Sequence, residues 1–230
     1  MLEKRRKEDG DVSFGASGDA NVGRMEFLLK LRERGISDAA VLRAMDAVPR
    51  SSFVERADAA RAYVDTALPI DCGQTISQPY VVAYMTEKLD VKPEHRVLEV
   101  GTGSGYQAAV LSRLAHEVIS IERYRTLAAR ARERLTALGY DNVEVVTGDG
   151  LLGVPERAPF DRIMVTAAAS TVPQVLIDQL ADGGVMVLPL GPRDGVQRIV
   201  MLTKSQTGLT RQEGIAVRFV PLLQGAAHEL

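Results

Sequence analysis

Residues 97–105 read VLEVGTGSG. An apolar, strand-forming run encloses one glutamate, Glu99. Three glycines, Gly101, Gly103 and Gly105, follow at every second position, with Thr102 between the first two. An apolar strand that breaks into a glycine loop and then into the helical pattern YQAAVLSRLA (106–115) is the first half of a β-α-β unit. In an open parallel sheet such a loop lies at the carboxyl edge, where the strand order reverses and ligands bind. Glycine there lets ligand atoms approach the backbone without meeting a Cβ. Tight strand-to-helix turns also need glycine for geometry alone, so the triplet by itself leaves both readings open.

The same rhythm continues downstream. VISIE (118–122), VEVVTGD (143–149), FDRIMVT (160–166) and GVMVLPL (184–190) read as strands. TLAARARERLTAL (126–138) and PQVLIDQLA (173–181) read as helices, the second with Thr171 and Gln174 as a capping box. QRIVMLTK (197–204) and GIAVRFVPL (214–222) follow with no helix between them, which predicts an antiparallel hairpin joined by SQTGLTRQE. The pattern predicts an α/β fold: a doubly wound, mostly parallel sheet with helices on both faces and an antiparallel strand at its C-terminal end. Upstream, MEFLLKLRERG (25–35) and DAAVLRAMDAV (38–48) read as helices, with Ser37 the expected N-cap of the second. Residues 50–79 are loop-like, and Pro79 opens a further amphipathic helix, YVVAYMTEKL. This upstream part is an N-terminal helical elaboration on the sheet. Residues 1–23, polar and glycine-rich, are expected to be a disordered tail.

Composition narrows the function classes. A chain of 230 residues suits one domain. Its formal net charge of −2 offers no basic field, so neither nucleic acid nor an anionic membrane is an expected partner. A single cysteine, Cys72, excludes an internal disulfide and a cysteine-rich zinc site, and it fits a reducing cytoplasm. His95, His116 and His228 share no motif, so neither a metal nor a catalytic triad is expected. The opening MLEKRRKEDGDVSFG has no apolar core of the kind a signal peptide needs, and no stretch approaches the ~20 apolar residues of a membrane span.

The glycine spacing narrows the ligand. Dinucleotide sites favour G-x-G-x-x-G, whereas Tyr106 stands directly after Gly105 here. Glu99 adds negative charge that disfavours a diphosphate and favours a ligand carrying an amino group and a sulfonium. Glu122, at the tip of the next strand, is placed to accept both hydroxyls of a ribose. Asp149 and the backbone of Gly150, after the third strand, are placed for an adenine ring. Acids at strand ends are also common surface residues, so no one of them decides the matter.

Taken in order, VLEVGTGSGYQAA, SIE and GDG resemble the first three cofactor motifs of the class I S-adenosylmethionine-dependent methyltransferases. The resemblance implies a Rossmann-like fold and S-adenosyl-L-methionine as cofactor. It implies Glu99, Gly101, Thr102, Gly103, Gly105, Glu122, Asp149 and Gly150 as the cofactor residues.

Two further stretches bear on the acceptor. VTAAAS (165–170) carries only small residues after the fourth strand, which leaves an open floor and disfavours an amide or ring nitrogen as acceptor. In GQTISQPYVVAYM (73–85), Thr75 and Ser77 flank Ile76, so their hydroxyls share one face of an extended segment and are paired to hold a carboxylate. An N-cap role for Ser77 ahead of Pro79 is the simpler alternative. Together with APFD and VRFVPL, these segments resemble the protein-L-isoaspartate (D-aspartate) O-methyltransferases from about residue 25 to about 223, while residues 1–23 and the pair Ser170-Thr171 depart from that pattern.

That family methylates the free carboxylate of isoaspartyl residues in damaged proteins and peptides, and the ester then collapses to a succinimide. Carried over, Ser77 is the catalytic position, and Thr75 and Ser77 bind the substrate. Residues 24–230 form one domain, with 24–92 on the substrate side and 93–230 as the cofactor-binding sheet. A cytoplasmic monomer acting on isoaspartyl proteins and peptides is expected. RFVPL is either an ordinary last strand or a source of backbone groups for the substrate, and Cys72 is expected to be a small buried thiol. The rival readings are a methyltransferase for another carboxylate or hydroxyl, a cofactor-binding protein without catalysis, and a dehydrogenase.

Overall fold

The computed structural model describes residues 16–227, with side chains from residue 23 onward. Helices α1 (Ala16–Glu33) and α2 (Ala39–Ala47) lead into two 3-10 turns at Arg50–Phe53 and Arg56–Arg61. A two-stranded antiparallel pair follows, β1 (Leu68–Pro69) and β2 (Thr75–Ile76), and then α3 (Pro79–Leu89). The alternating part comprises β3 (Arg96–Val100), α4 (Tyr106–Ser112), β4 (Glu117–Glu122), α5 (Arg125–Ala137), β5 (Val143–Thr147), β6 (Phe160–Val165), α6 (Gln174–Asp178) and β7 (Leu180–Leu190). It closes with β8 (Gln197–Ser205) and β9 (Gly208–Val217).

The main sheet has the order β5-β4-β3-β6-β7-β8-β9. The pairs from β5 to β7 are parallel, and β8 and β9 each run antiparallel to their inner neighbour. The chain therefore reverses its winding direction at β3, with β4 on one side and β6 on the other. The loops after β3 and β6 diverge there and open a crevice at the carboxyl edge.

Both faces of β3 are buried, as an inner parallel strand requires. Val97 packs into the apolar cluster that holds residues of α1 to α5, and Leu98 and Val100 into the cluster on the opposite face. The helices are shared unevenly. The second face is covered by the short α6, the 3-10 turn at Pro155–Arg157 and adjoining loops, because neither the β5–β6 nor the β7–β8 connection carries a long helix.

Several local expectations shift. Helix α1 begins at Ala16, so residues 16–23 are helical and not the tail the sequence suggests; residues 1–15 lie outside the described residues. Apolar periodicity starts only near Met25, and pattern reading misses the turns before it. The N-cap of α2 is Asp38, whose carboxylate accepts from Ala40 N and Val41 N. Ser37 lies one residue too early, and the N–H groups of both residues are held by the Glu87 carboxylate. Asp38→Ala is therefore expected to destabilise the protein by about 1 kcal/mol, and Ser37→Ala by much less; thermal melts of the two variants check this. The capping box at Thr171 does not form, since Pro173 caps α6 without a side-chain bond. The β8–β9 hairpin turns tightly, with Ser205 paired to Gly208. Most of SQTGLTRQE is thus strand, unrecognised because this exposed, polar edge strand carries no apolar alternation.

Candidate active site at the carboxyl edge

The glycine loop joins β3 to α4. Gly101, Gly103 and Gly105 all have left-handed φ, at 101°, 53° and 89°. A Cβ on Gly101 would collide with the hydroxyl of Thr166, which donates to the carbonyls of Val100 (3.0 Å) and Gly101 (2.6 Å) and so ties this loop to the end of β6. A Cβ on Gly105 would meet Leu135 Cδ1 at 3.3 Å and Ala131 Cβ at 3.5 Å. These two glycines let the chain pack against itself. Gly103 meets only Ile70 Cδ1, at 3.4 Å, and presents bare backbone to the crevice.

Glu122 ends β4 beside this loop. Its Oε2 accepts from Gly103 N (2.8 Å) and its Oε1 from Tyr124 N (3.0 Å). Each oxygen keeps a lone pair for a hydroxyl in the crevice. Glu99 behaves differently. It points to the helical face of β3, is fully buried, and accepts from the Ser120 hydroxyl, which also contacts Thr102 Oγ1 at 2.6 Å. Its Oε1 has no partner. Burial pushes its carboxyl up to about 8, so it is largely protonated at neutral pH. Glu99 therefore does not supply the negative charge that the sequence reading assigned to it, and it does not line the crevice.

The C-terminal segment covers the site. After β9 the chain leaves the sheet, and Ala168 and the 220–222 stretch exchange two backbone hydrogen bonds of 2.8 Å. Gly225 N then donates to Asp149 Oδ2 (2.7 Å), Arg123 Nε donates to the Gly225 carbonyl (3.1 Å), and Ala227 N donates to the Arg123 carbonyl (2.8 Å). RFVPL is thus a strap over the carboxyl edge and not a last strand. Its alternating apolar residues look like a strand in sequence, and only the long-range partners distinguish the two. Asp149, whose other oxygen accepts from Leu151 N, anchors this strap and stands outside the crevice wall, whereas Gly150 lines it.

The other wall comes from β2 and α3. Ile76 is buried, Thr75 is exposed and Ser77 is half-buried, and all three line the crevice. The N-cap of α3 is Gln78, with no side-chain cap bond, so Ser77 is not a helix cap. Among the described residues neither hydroxyl, on Thr75 or Ser77, has a hydrogen-bond partner. Cys72 is half-buried in the β1–β2 turn, less enclosed than expected, and does not line the crevice.

One open crevice brings the two groups together: its lining includes Thr75 and Ser77, Gly101, Thr102, Gly103, Glu122 and Gly150, and Thr166 and Ala167. Of the residues singled out from sequence, Glu99, Gly105 and Asp149 remain outside it. Phe219 to Leu223, which the sequence offered only as a strand or a substrate contact, form a wall. Such a space can hold an extended ligand with a hydroxyl-bearing part at Glu122 and present its far end to an anion at the paired alcohols. Among the described residues no group of three His, Cys, Asp or Glu side chains stands together as a metal site.

Comparison with known proteins shows the family. A family model described as protein-L-isoaspartate(D-aspartate) O-methyltransferase matches residues 23–227. The protein-L-isoaspartate O-methyltransferase of Rhodopseudomonas palustris (strain BisB18) is 58% identical over 207 residues, covering 90% of this chain and 96% of its own. That of Xanthobacter autotrophicus (strain ATCC BAA-1158 / Py2) is 56% identical over 219 residues, covering 95% and 100%. Among solved structures, a protein-L-isoaspartate O-methyltransferase superposes with a TM-score of 0.79 at 32% identity, over 86% of this chain and 65% of that one. A Plasmodium falciparum protein described by the same activity, in complex with S-adenosyl-L-homocysteine, superposes with a TM-score of 0.77 at 29% identity, over 87% and 98%.

Proposed function

The chain belongs to the protein-L-isoaspartate(D-aspartate) O-methyltransferase family, and on that premise we propose how its crevice divides the work of the reaction. The enzyme methylates the free carboxylate of isoaspartyl residues in proteins, with S-adenosyl-L-methionine as donor. The observation that carries the assignment is the single cavity that brings the glycine loop and Glu122 together with two unpartnered hydroxyls.

The residues present fit the cofactor. Gly103 offers bare backbone, Glu122 keeps lone pairs for ribose hydroxyls, and Gly150 lies where an adenine edge can meet the main chain. When bound, the cofactor supplies a methyl group on a positively charged sulfur. The acceptor carboxylate, with a pKa of about 4, is already ionised at neutral pH and needs no general base. What remains for the protein is alignment and exclusion of water from the nucleophile. Ser77 and Thr75 donate to the carboxylate and fix its direction. The strap from Phe219 to Leu223 keeps solvent out, and Asp149 serves the reaction by holding that strap closed. Arg211 and Glu213 on the exposed edge strand β9 discourage edge-to-edge pairing, in keeping with a monomer, and the single cysteine with a cytoplasmic setting.

Transfer of labelled methyl to an isoaspartyl peptide, with its aspartyl twin as control, tests the function directly; equal labelling of both would overturn it. Glu122→Ala is expected to weaken binding of S-adenosyl-L-homocysteine by about 1–3 kcal/mol, since a charged acceptor is lost. An unchanged calorimetric affinity would remove Glu122 from the cofactor site.

A further inference from the structure

Arg50 is the largest of the fully buried side chains and opens the 3-10 turn that follows α2. Its Nε donates to the Ala62 carbonyl (2.7 Å) and its Nη2 to the carbonyl of Ser77 (2.8 Å), while among the described residues Nη1 has no partner of ordinary hydrogen-bond geometry and the neutral Tyr106 hydroxyl is the polar group that acts on the charge. The guanidinium carbon lies 4.9 Å from the ring centre of Tyr106, the first residue after the glycine loop. The group thus stands behind the crevice, joined to both its cofactor wall and its substrate wall.

A buried cation ordinarily has a carboxylate beside it, because an unpaired charge in a low-dielectric interior is costly. Arg50 has none at hand. Asp65, the acid whose field reaches it, is already bound to the Arg34 guanidinium and to the Tyr80 N–H. A strut between Ala62 and Ser77 needs only a neutral donor, so that role leaves the charge unexplained. A guanidinium keeps its proton at neutral pH even where burial pulls it below its ordinary value, as here.

We infer that Arg50 is the resident counter-charge for the substrate carboxylate: a positioning residue that grips the Ser77 carbonyl and makes the Thr75–Ser77 end of the crevice select an anionic acceptor over a neutral one. The inference rests on the reading that Thr75 and Ser77 hold the carboxylate. The substrate's anion completes an ion pair that the fold leaves half-built.

The test compares binding of an isoaspartyl peptide with binding of its isoasparaginyl twin, in which a carboxamide replaces the carboxylate. Both are titrated by fluorescence anisotropy into enzyme saturated with S-adenosyl-L-homocysteine. Arg50→Gln keeps a donor and removes the charge, and it should lower the preference for the carboxylate by about tenfold or more with affinity for the amide unchanged. Arg50→Lys keeps the charge and should retain most of the preference. That preference should then fade as pH rises, because a buried ammonium deprotonates more readily than a guanidinium, while the parent enzyme's preference does not fade in this way. The Lys variant reports on the charge even if Arg50→Gln does not fold. A parent-like ratio in Arg50→Gln, or a Lys variant that has lost the preference at every pH, overturns the inference and leaves the role of the hydroxyls standing. Ser77→Ala binding the carboxylate peptide as tightly as the parent overturns the role of that hydroxyl instead, whatever the Arg50 variants do.

Discussion

Ser77→Ala lowers kcat on an isoaspartyl peptide by roughly one to three orders of magnitude, the range for removing a donor aimed at reacting charge. The affinity for S-adenosyl-L-homocysteine stays within about twofold, because the Ser77 hydroxyl is assigned to the acceptor carboxylate and the cofactor to other lining residues, Glu122 and Gly150. Stability is also preserved. Among the described residues the hydroxyl has no partner, and the N-cap of α3 is Gln78, so its removal exposes no orphaned backbone group. That combination separates a catalytic role from a structural one: a helix cap lost to alanine costs about 1 kcal/mol of stability and little rate. Thr75→Val keeps the side-chain shape while deleting the second hydroxyl, and it should act in the same direction. The double variant should lose less than the product of the single effects, since both donors serve one carboxylate. Steady-state kinetics with isothermal calorimetry decide the matter. Full turnover by Ser77→Ala would leave the paired-hydroxyl reading without support.

The parts of this site that were legible in sequence are those fixed by neighbours in the chain. Alternation around Ile76 is enough to put Thr75 and Ser77 on one side, and the end of an apolar strand is enough to put Glu122 at the sheet's edge. What escaped depends on distant partners. The three glycines look equivalent in sequence, yet Gly105 is required by Leu135 and Ala131 on α5, and Gly101 by Thr166 after β6. Asp149 follows its strand as a cofactor-binding acid would, and no local pattern announces that it also accepts from Gly225, at the far end of the chain. RFVPL has a strand's composition and becomes a strap because Ala168 captures it. Arg50 carries no local sign of burial, since its partners, Ala62, Ser77 and Tyr106 of α4, are 12 or more residues away in sequence.

Glu99 shows most plainly how a motif residue can be placed correctly and still be misjudged in charge. Its strand and position are those expected, but its carboxyl is fully buried, with one oxygen on the Ser120 hydroxyl and the other unpartnered, and burial lifts it to about 8 from an ordinary value near 4.5. The folded chain therefore holds a proton that the unfolded chain releases over much of the range between those values. Stability is at its fullest below the unfolded value and is lost as pH rises through the folded one, with a slope of up to about 1.4 kcal/mol per pH unit and a total on the order of several kcal/mol. Glu99→Gln has no proton to lose and fits nearly the same volume, so its denaturant midpoint should not share that decline. Subtracting the two curves from about pH 5 to about pH 9 cancels every other titrating group common to both proteins. The difference should favour the glutamine variant increasingly as pH rises and level off above the folded value. Parallel curves would mean that the Glu99 carboxyl ionises as readily in the folded chain as in the unfolded one. The protonated Glu99–Ser120–Thr102 arrangement beneath the glycine loop would then have to be abandoned.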